Sequence, residues 1–331
     1  MISFVWPPGA AMLAGTGGSE TYTAGQIREL LRRGIKAQVV TIGHGLKDGR
    51  QDFTDIPFVA LAAASELSKL PGTVVFVNRA YPVPTRNKSA IIVHCVVNSA
   101  AQRQQWQQEV VGKTVIATSV YSAQKWALYL NVASSRIKVV LPFADPVYAN
   151  TVRAKSAKNV RILYAGRLHP EKGIYTLLEM MHSRRLQAKP FTVSIILAGL
   201  HVPIGRVIAR MLQGYPYAKL LPAYKSVTSM AQRCGQTDIL VMPSVTEESF
   251  GMLLIEAQHA GCRVVASNLG GLPETNCGLL TLVEPRDPLA LLQGIEQAVA
   301  LGPVTKKQRD TASERFSITD SVDELLKALA L

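Results

Sequence analysis

The chain has 331 residues, of which 48% are hydrophobic and 18% are charged. This length favours two domains, each able to bury a core, and the composition excludes a disordered or fibrous chain. The formal net charge of +13 favours an anionic partner or membrane surface, with solubility alone as the alternative explanation.

No run approaches the ~18 consecutive apolar residues of a membrane-spanning helix. The N-terminus (MISFVWPPG) lacks the basic segment and long apolar segment of a signal peptide. The four cysteines form no CxxC pair, so neither a disulfide framework nor a zinc site is indicated. A cytoplasmic location is expected, with peripheral attachment at the inner membrane surface as a further expectation.

The first 150 residues alternate between strand and helix patterns. Ile2 to Trp6 is a short apolar run, followed by a loop of small residues and by helical spacing from Thr21 to Arg33. Ala37 to Ile42 is the next strand, which completes a β–loop–α–β unit typical of a parallel α/β sheet. Further strand-like runs are 73–77, 90–97, 114–117 and 137–141.

A second α/β series follows residues 144–160, which are polar, lack apolar periodicity and indicate a linker. The strand-like runs of this series are 160–165, 192–198, 239–242, 263–267 and 278–283. An amphipathic helix is predicted from Thr319 to Leu331. The fold class is therefore α/β, and two consecutive series predict two Rossmann-like parallel-sheet domains.

The segment RILYAGRLHPEKG begins with an apolar strand, which is followed by a glycine and by a turn that contains two cations. Gly166 permits close approach of the backbone, and Arg167 and Lys172 follow it. Open α/β sheets bind ligands at the carboxyl ends of their strands, so these cations and a helix N-terminus are suited to a diphosphate. The alternative is an ordinary surface loop with two exposed cations.

The segment PSVTEESFGMLLIEAQHAGCRVVASNLGG contains Glu248 and Glu256 in an E-x7-E pattern. Phe250-Gly251 leads a helix whose free N–H groups, near Met252 and Leu253, are suited to a phosphate or a sugar hydroxyl. The carboxylate of Glu256, one to two turns further on, can accept two hydrogen bonds from a ribose diol. The alternatives are a surface position for Glu256 and a helix-dipole role for Glu248.

These motifs resemble the family 4 glycosyltransferases, which are retaining enzymes of the GT-B fold, with two Rossmann-like domains facing across a cleft. The C-terminal half is similar through GRLHPEKG and ESFGMLLIEAQHAGCRVVASNLGGLPE, and the N-terminal half through GGSE, IIVHCV and TVIATSVYSAQKW. The resemblance implies an acceptor-binding domain at 1–150 and a nucleotide-sugar-binding domain at 151–317. It also implies that the terminal helix, 318–331, packs back on the first domain.

The resemblance implies a role for each matching residue of the second half. Arg167 and Lys172 would neutralise the pyrophosphate of the sugar donor, and Glu256 would hold the ribose. Glu248 and the backbone of residues 250–253 would hold the transferred sugar. The implied donor-binding residues are Gly17, Gly18, Gly166, Arg167, Lys172, Glu248, Phe250, Gly251, Met252, Leu253 and Glu256.

In the first half, the resemblance implies that Gly17 and Gly18 let their loop approach the phosphates and the acceptor. It places His94 at the reacting centre, where it would hydrogen-bond to the transferred sugar. The alternative for His94, which follows the apolar run AIIV, is a satisfied core histidine. The implied catalytic residues are His94, Glu248, Arg167 and Lys172.

Three positions depart from the family pattern. Ser249 stands where the family often has glycine, and Pro142 to Asp145 replaces its usual asparagine–glycine. Leu200 to Tyr217 replaces a common Gly-x-Gly pattern. Because this last loop borders the family's base pocket, the sequence does not identify the base, and a UDP- or GDP-linked sugar is expected as donor.

The implied reaction transfers a sugar from a nucleoside-diphosphate sugar to a saccharide, lipid-linked or small-molecule acceptor with retention of configuration. No Asp-x-Asp motif is present, so a reaction without a divalent metal or other cofactor is expected. The alternatives are an epimerase or phosphorylase of the same fold and a non-catalytic sugar-nucleotide sensor. A nucleic-acid-binding protein is less favoured because the basic residues are not interleaved with aromatic ones, and no nucleic-acid partner is expected.

The basic excess lies mostly in the first half, where residues 1–155 contain 17 Lys and Arg against 8 Asp and Glu. Arg28, Arg32, Arg33 and Lys36 surround one predicted helix. This favours peripheral contact with an anionic membrane, or an anionic saccharide or lipid phosphate as acceptor. The alternative is a solvated basic helix face.

Overall fold

The computed structural model describes residues 1–81, 87–97, 99–155, 158–182, 191–198, 203–224 and 226–331. The chain divides into two compact units. The first unit comprises Met1–Phe143 and Ile318–Leu331, and the second comprises Ala144–Ser317. Within the described ranges, no helix combines the length and the apolar character needed to cross a membrane.

Each unit is built from parallel strands joined by helices. The described strands are β1 (Ile2–Val5), β2 (Ala37–Ile42), β3 (Phe58–Leu61), β4 (Thr73–Val77), β5 (Ser89–Val93), β6 (Thr114–Ala117), β7 (Ile137–Val139), β8 (Val160–Arg167), β9 (Phe191–Ala198), β10 (Ala218–Leu221), β11 (Ile239–Met242), β12 (Arg263–Ser267) and β13 (Leu280–Val283). The described α-helices are α1 (Gly18–Arg32), α2 (Arg103–Glu109), α3 (Val120–Leu130), α4 (Pro146–Asn150), α5 (Ile174–His182), α6 (Pro203–Leu212), α7 (Val227–Gly235), α8 (Met252–His259), α9 (Pro288–Ala300), α10 (Lys306–Ser313) and α11 (Ile318–Ala328).

In the first unit, the described residues form a seven-stranded sheet in the order β3-β2-β1-β4-β5-β6-β7. Every neighbouring pair is parallel. All residues of β4 and β5 are buried, as expected for parallel strands that are covered by other elements on both faces. The chain leaves β1 for β2 on one side and β4 lies on the other, which makes the carboxyl end of β1 a topological switch point.

In this unit, one predicted strand is shorter than expected and one strand was not predicted. The run 90–97 is a strand only as far as Val93, because the N–H of His94 donates to the side-chain oxygen of Asn78 instead of to a neighbouring strand. Strand β3 was not predicted, although its residues (FVAL) are all apolar; it is a short edge strand whose residues are only partly buried or exposed.

The terminal helix α11 packs on α1 within the first unit. The buried Gln26 side chain of α1 donates to the Ser321 hydroxyl over 2.8 Å. The Glu324 carboxylate accepts the N–H of Leu141 at 2.9 Å. These contacts explain why a segment at the end of the sequence belongs to the unit formed by its beginning.

In the second unit, the described residues form a six-stranded sheet in the order β10-β9-β8-β11-β12-β13. All neighbouring pairs are parallel. Side chains of β8 alternate between two cores, since Ile162 and Tyr164 pack with α5, α6 and α9 while Leu163 and Ala165 pack on the opposite face. The predicted α/β class, with two Rossmann-like parallel sheets, is confirmed.

The predicted linker 144–160 begins with helix α4 instead of irregular chain. The Asp145 carboxylate accepts the N–H of Val147, and Pro146 occupies the first helical turn, a favourable helix start. Tyr148 is buried in the core of the second unit. For this reason the second unit starts at Ala144, seven residues before the boundary that we predicted.

Candidate active site

The switch point of the second sheet lies between β8 and β11, where the chain continues from β8 to β9 on one side and returns on the other. Ligands of open α/β sheets bind at the carboxyl ends of the strands at such a point. Arg167 is the last residue of β8, and its side chain is exposed. The loop that follows β11 begins at Pro243. The two segments singled out by sequence therefore meet at one edge of the sheet.

Gly173 allows these two loops to approach closely. It follows a 3-10 turn at Pro170–Lys172 and has φ 75°, a conformation that favours glycine. A Cβ atom at this position would lie 1.7 Å from the carbonyl oxygen of Pro243. The N–H of Val245 also donates to the carbonyl of Glu171 over 2.8 Å. The backbone therefore fixes the position of Lys172 against the second loop.

Lys172 and Glu248 form a direct ion pair, with Nζ and Oε1 2.6 Å apart. The Ser244 hydroxyl donates to the same carboxylate oxygen at 2.8 Å. No described residue donates a side-chain hydrogen bond to Oε2 of Glu248, so this oxygen is available to a ligand hydroxyl. Lys172 has two further N–H donors. Glu248 is thus paired with a lysine. The sequence analysis considered a sugar-binding role and a helix-dipole role for Glu248, but not this ion pair.

The two glycines after β12 hold the backbone of Glu248. Gly270 has φ 62°, and a Cβ atom there would lie 2.5 Å from the carbonyl oxygen of Glu248. The N–H of Gly271 donates to that same oxygen over 2.8 Å. A side chain at position 270 would therefore push Glu248 away from Lys172.

Helix α8 starts directly after this pair. Gly251, at φ 111°, is its N-cap and offers no side chain to the first N–H groups of the helix, at Met252 and Leu253. Phe250 is buried against the ring of Phe316, with the ring centres 5.5 Å apart. This aromatic contact anchors the start of α8, and the uncapped N–H groups make it suited to an anion.

Glu256 is buried on α8 and is not the exposed helix residue of the alternative reading. Its side chain forms a hydrogen bond with Tyr148 of α4. The pKa of Glu256 is raised to about 7, mainly by burial; the Tyr148 hydrogen bond opposes this rise, and the negative charge of Asp145 adds to it. The structure does not place Glu256 in contact with Lys172 or Glu248. Sequence reasoning missed Tyr148 because it lies in the segment that we predicted to be a linker.

In the first unit, Gly17 directly precedes helix α1, and Gly18 is the first residue of that helix, which follows the loop after β1. Gly17 is the N-cap with φ −174°, an extended conformation that any residue adopts. A Cβ atom at Gly17 would lie 3.0 Å from the Glu20 carboxylate, which accepts the Thr16 hydroxyl at 2.8 Å. The glycine at position 17 is thus explained by space beside Glu20 and not by backbone strain.

His94 follows β5 and is half-buried. Its ring lies edge-to-face against Tyr22 of α1, with ring centres 4.8 Å apart, so it belongs to the same part of the unit as the start of α1. Burial lowers the pKa of His94 to about 4, so the imidazole is neutral at pH 7. A neutral imidazole can donate one hydrogen bond and accept another. Sequence reasoning missed Tyr22 and Asn78, which orient this histidine.

The basic face predicted on α1 is largely neutralised. Arg28 pairs with Asp55 at 2.6 Å, and Arg32 pairs with Glu29 at 2.7 Å. Arg33 pairs with Glu29 at 2.8 Å and also with Asp323 of α11. Much of the charge on this helix therefore meets acidic groups of the same unit, which favours the solvated-face alternative.

Comparison with known proteins decides the class of the second unit. Residues 159–300 match the family model described as "Glycosyl transferases group 1". This segment is similar in sequence to the group 1 glycosyl transferases. The match includes the Lys172–Glu248 pair and helix α8, and it confirms the resemblance that the GRLHPEKG and ESFGMLLIEA motifs indicated.

Two curated relatives extend this result. A lipopolysaccharide 1,2-N-acetylglucosaminetransferase of Salmonella typhimurium is 30% identical over 155 residues, which are 42% of this chain and 39% of that protein. A D-inositol 3-phosphate glycosyltransferase of Geodermatophilus obscurus is 32% identical over 184 residues, which are 51% of this chain and 40% of that protein. The matched region thus spans about two fifths of each relative.

Solved structures are similar over the whole chain. A glycosyltransferase from Rickettsia africae has a TM-score of 0.81 at 19% identity, covering 99% of this chain and 97% of that one. Anabaena HepE in complex with UDP and glucose has a TM-score of 0.77 at 16% identity, covering 99% of both chains. These similarities confirm the GT-B fold class for the pair of parallel-sheet units.

Proposed function

We propose that the protein is a retaining glycosyltransferase that uses a UDP- or GDP-linked sugar and a saccharide, lipid-linked or small-molecule acceptor. The observation that carries the proposal is the Lys172–Glu248 ion pair, 2.6 Å long, at the switch point between β8 and β11. It lies within the segment that matches the group 1 glycosyl transferases. The UDP and glucose bound by HepE support a nucleotide-sugar donor.

The chemistry needs stabilisation of the leaving diphosphate, because glycosyl transfer passes through an oxocarbenium-like state while negative charge grows on the leaving group. The exposed guanidinium of Arg167 can bind two phosphate oxygens at once. Lys172 offers its remaining N–H groups, and the uncapped N-terminus of α8 adds backbone donors. Together these groups supply positive potential without requiring a metal ion, and we propose a metal-independent reaction.

Glu248 is suited to hold the transferred sugar. Its Oε1 atom is engaged by Lys172 and Ser244, which leaves Oε2 to accept a sugar hydroxyl. The same ion pair would then connect the sugar to the cation that faces the diphosphate. Changing either partner should therefore weaken both sugar binding and departure of the diphosphate.

The test uses Lys172→Met and Glu248→Gln, measured by thermal shift and by release of free sugar from UDP- and GDP-sugars in EDTA. The matched controls are Lys306→Met and Asp310→Asn, which break an exposed Lys–Asp pair, also 2.6 Å long, on α10. Loss of one charged donor to the transition state costs about 10²–10³-fold in turnover, and the controls should change turnover less than about two-fold.

Four results would contradict the proposal. Absence of any thermal shift with these nucleotide sugars would contradict the proposed donor site. Activity that is lost in EDTA and restored by Mn²⁺ would refute the metal-independent reaction. A product in which the sugar stays on the nucleotide indicates an epimerase, and a requirement for inorganic phosphate indicates a phosphorylase. The anomeric configuration of the transferred sugar, read by NMR, tests retention.

A further inference from the structure

Helix α6 of the second unit leaves apolar side chains in solvent. Its buried face consists of Gly205, Ile208 and Leu212. On the other side, Ile204, Val207 and Met211 are 40%, 52% and 45% exposed. Their spacing of three and four residues places them in one row along the helix. A row of this kind on a helix that already has a buried face indicates a second contact surface.

Two arginines border the apolar row. Arg206 and Arg210 are exposed and lie one turn apart. Among the described residues, neither forms an ion pair, and α6 contains no acidic residue. This helix therefore differs from α1, where Arg28, Arg32 and the C-cap Arg33 all have carboxylate partners.

The sequence around α6 has the same one-sided charge. Residues 180–237 contain eight Lys and Arg and no Asp or Glu. The nearest acidic residues along the chain are Glu179, at the end of α5, and Asp238, which is ion-paired to Arg161 at 2.7 Å. The basic excess of the protein is thus not confined to the first half.

The apolar row and the arginines of α6 together favour one kind of partner over the others that an amphipathic helix can bind. A symmetric contact between two copies would bring Arg206 and Arg210 against positive charge from the other copy, which is unfavourable. A nucleic acid backbone would use the arginines but leave the apolar row without a partner. An anionic lipid surface satisfies both, because apolar side chains enter the headgroup boundary while arginines meet lipid phosphates.

We propose that α6 docks the second unit on an anionic phospholipid membrane, with Ile204, Val207 and Met211 inserted and Arg206 and Arg210 on the lipid phosphates. Tyr215 and Tyr217 lie just beyond the helix, edge-to-face and half-exposed. Tyrosine rings suit the boundary between apolar and polar layers. This docking surface is distinct from the Lys172–Glu248 site and does not depend on the proposed function.

The test is flotation of the full chain with phosphatidylcholine vesicles that contain or lack about one third phosphatidylglycerol. We expect binding to the anionic vesicles that weakens with added salt. Arg206→Gln with Arg210→Gln should lower vesicle affinity by about 25-fold, since each basic residue near the surface contributes about five-fold. Val207→Ser with Met211→Ser should also lower vesicle affinity by at least ten-fold.

The control, Lys306→Gln with Lys307→Gln on exposed α10, should change vesicle affinity less than two-fold.

Binding that is equal on neutral and anionic vesicles would overturn the proposal, as would an equal loss in the α10 control. Dilution-dependent self-association that Met211→Ser abolishes, without vesicle binding, would make the surface a contact between copies instead. Release of sugar from nucleotide sugars, measured without vesicles, separates the two proposals. Vesicle binding without any sugar release would contradict only the proposed enzyme.

Discussion

Replacing Gly173 by alanine tests whether the close contact between the loops after β8 and β11 positions the ion pair. The new Cβ atom would lie 1.7 Å from the Pro243 carbonyl oxygen, whereas real Cβ atoms essentially never come within 3.0 Å of another heavy atom. One of the two loops must therefore withdraw by about 1.3 Å. A displacement of about 1 Å in a catalytic group costs about 10²-fold in rate.

A matched control separates this steric effect from backbone strain. Gly302 has φ 70°, against 75° at Gly173, and a Cβ atom there would meet nothing within 4 Å. Both alanine variants carry the left-handed backbone cost of about 1–2 kcal/mol. Only Gly173→Ala adds the cost of overpacking, about 1–3 kcal/mol.

The assays are thermal unfolding and nucleotide-sugar turnover. Because each kcal/mol lowers Tm by about 2–4 °C in a protein of this size class, Gly173→Ala should unfold about 2–12 °C below Gly302→Ala. It should lose about 100-fold in turnover, while Gly302→Ala should keep its rate within about two-fold. If the two variants share one Tm and one turnover rate, the close approach at Gly173 does not position Lys172.

Two predictions concern pH. Because the pKa of Glu256 is raised to about 7, the folded state binds its proton more tightly than the unfolded state. Glu256 should therefore contribute less stability as pH rises from 4.5 to 7, and the wild type should lose about 3 kcal/mol relative to Glu256→Gln over that range in unfolding experiments. Because the pKa of His94 is lowered to about 4, the unfolded state binds the proton more tightly. The contribution of His94 has the opposite sign, so the wild type should lose up to about 3 kcal/mol relative to His94→Gln as pH decreases from 6.5 to 4. Variants whose pH profiles match the wild type would contradict these assignments.

Much of the fold could be predicted from the sequence because buried parallel strands are continuous apolar runs. β4, β6 and β11 lie where those runs occur. The elements that were missed are short. β3 and β10 are four-residue edge strands of partly buried or exposed residues, and α4 is a five-residue helix that depends on its Asp145 cap. Edge strands and short capped helices are fixed by tertiary contacts more than by local patterns.

The candidate site was predictable in its residues but not in its pairings. The motifs indicated Lys172 and Glu248 separately, yet only the structure brings them to 2.6 Å, because 76 residues separate them along the chain. For Glu256, the structure adds an internal partner, Tyr148, that the motif did not indicate, and its role toward a ribose stays a prediction. Spacing along one helix does not determine what a neighbouring element places against it.

The distribution of charge shows why counting residues along the sequence is a poor guide to a binding surface. The first half has the larger excess of basic residues, yet the arginines on and directly after α1 meet Glu29, Asp55 and Asp323. The second half has a smaller excess, yet the acid-free segment around α6 leaves Arg206 and Arg210 beside exposed apolar side chains. Since paired surface charges attract a membrane far less than unpaired ones, α6 should dominate any lipid contact.

A vesicle experiment on Arg28→Gln with Arg32→Gln should therefore show a smaller loss of affinity than one on the α6 arginines. A larger loss of affinity for the Arg28→Gln with Arg32→Gln variant would instead place the membrane contact on the first unit.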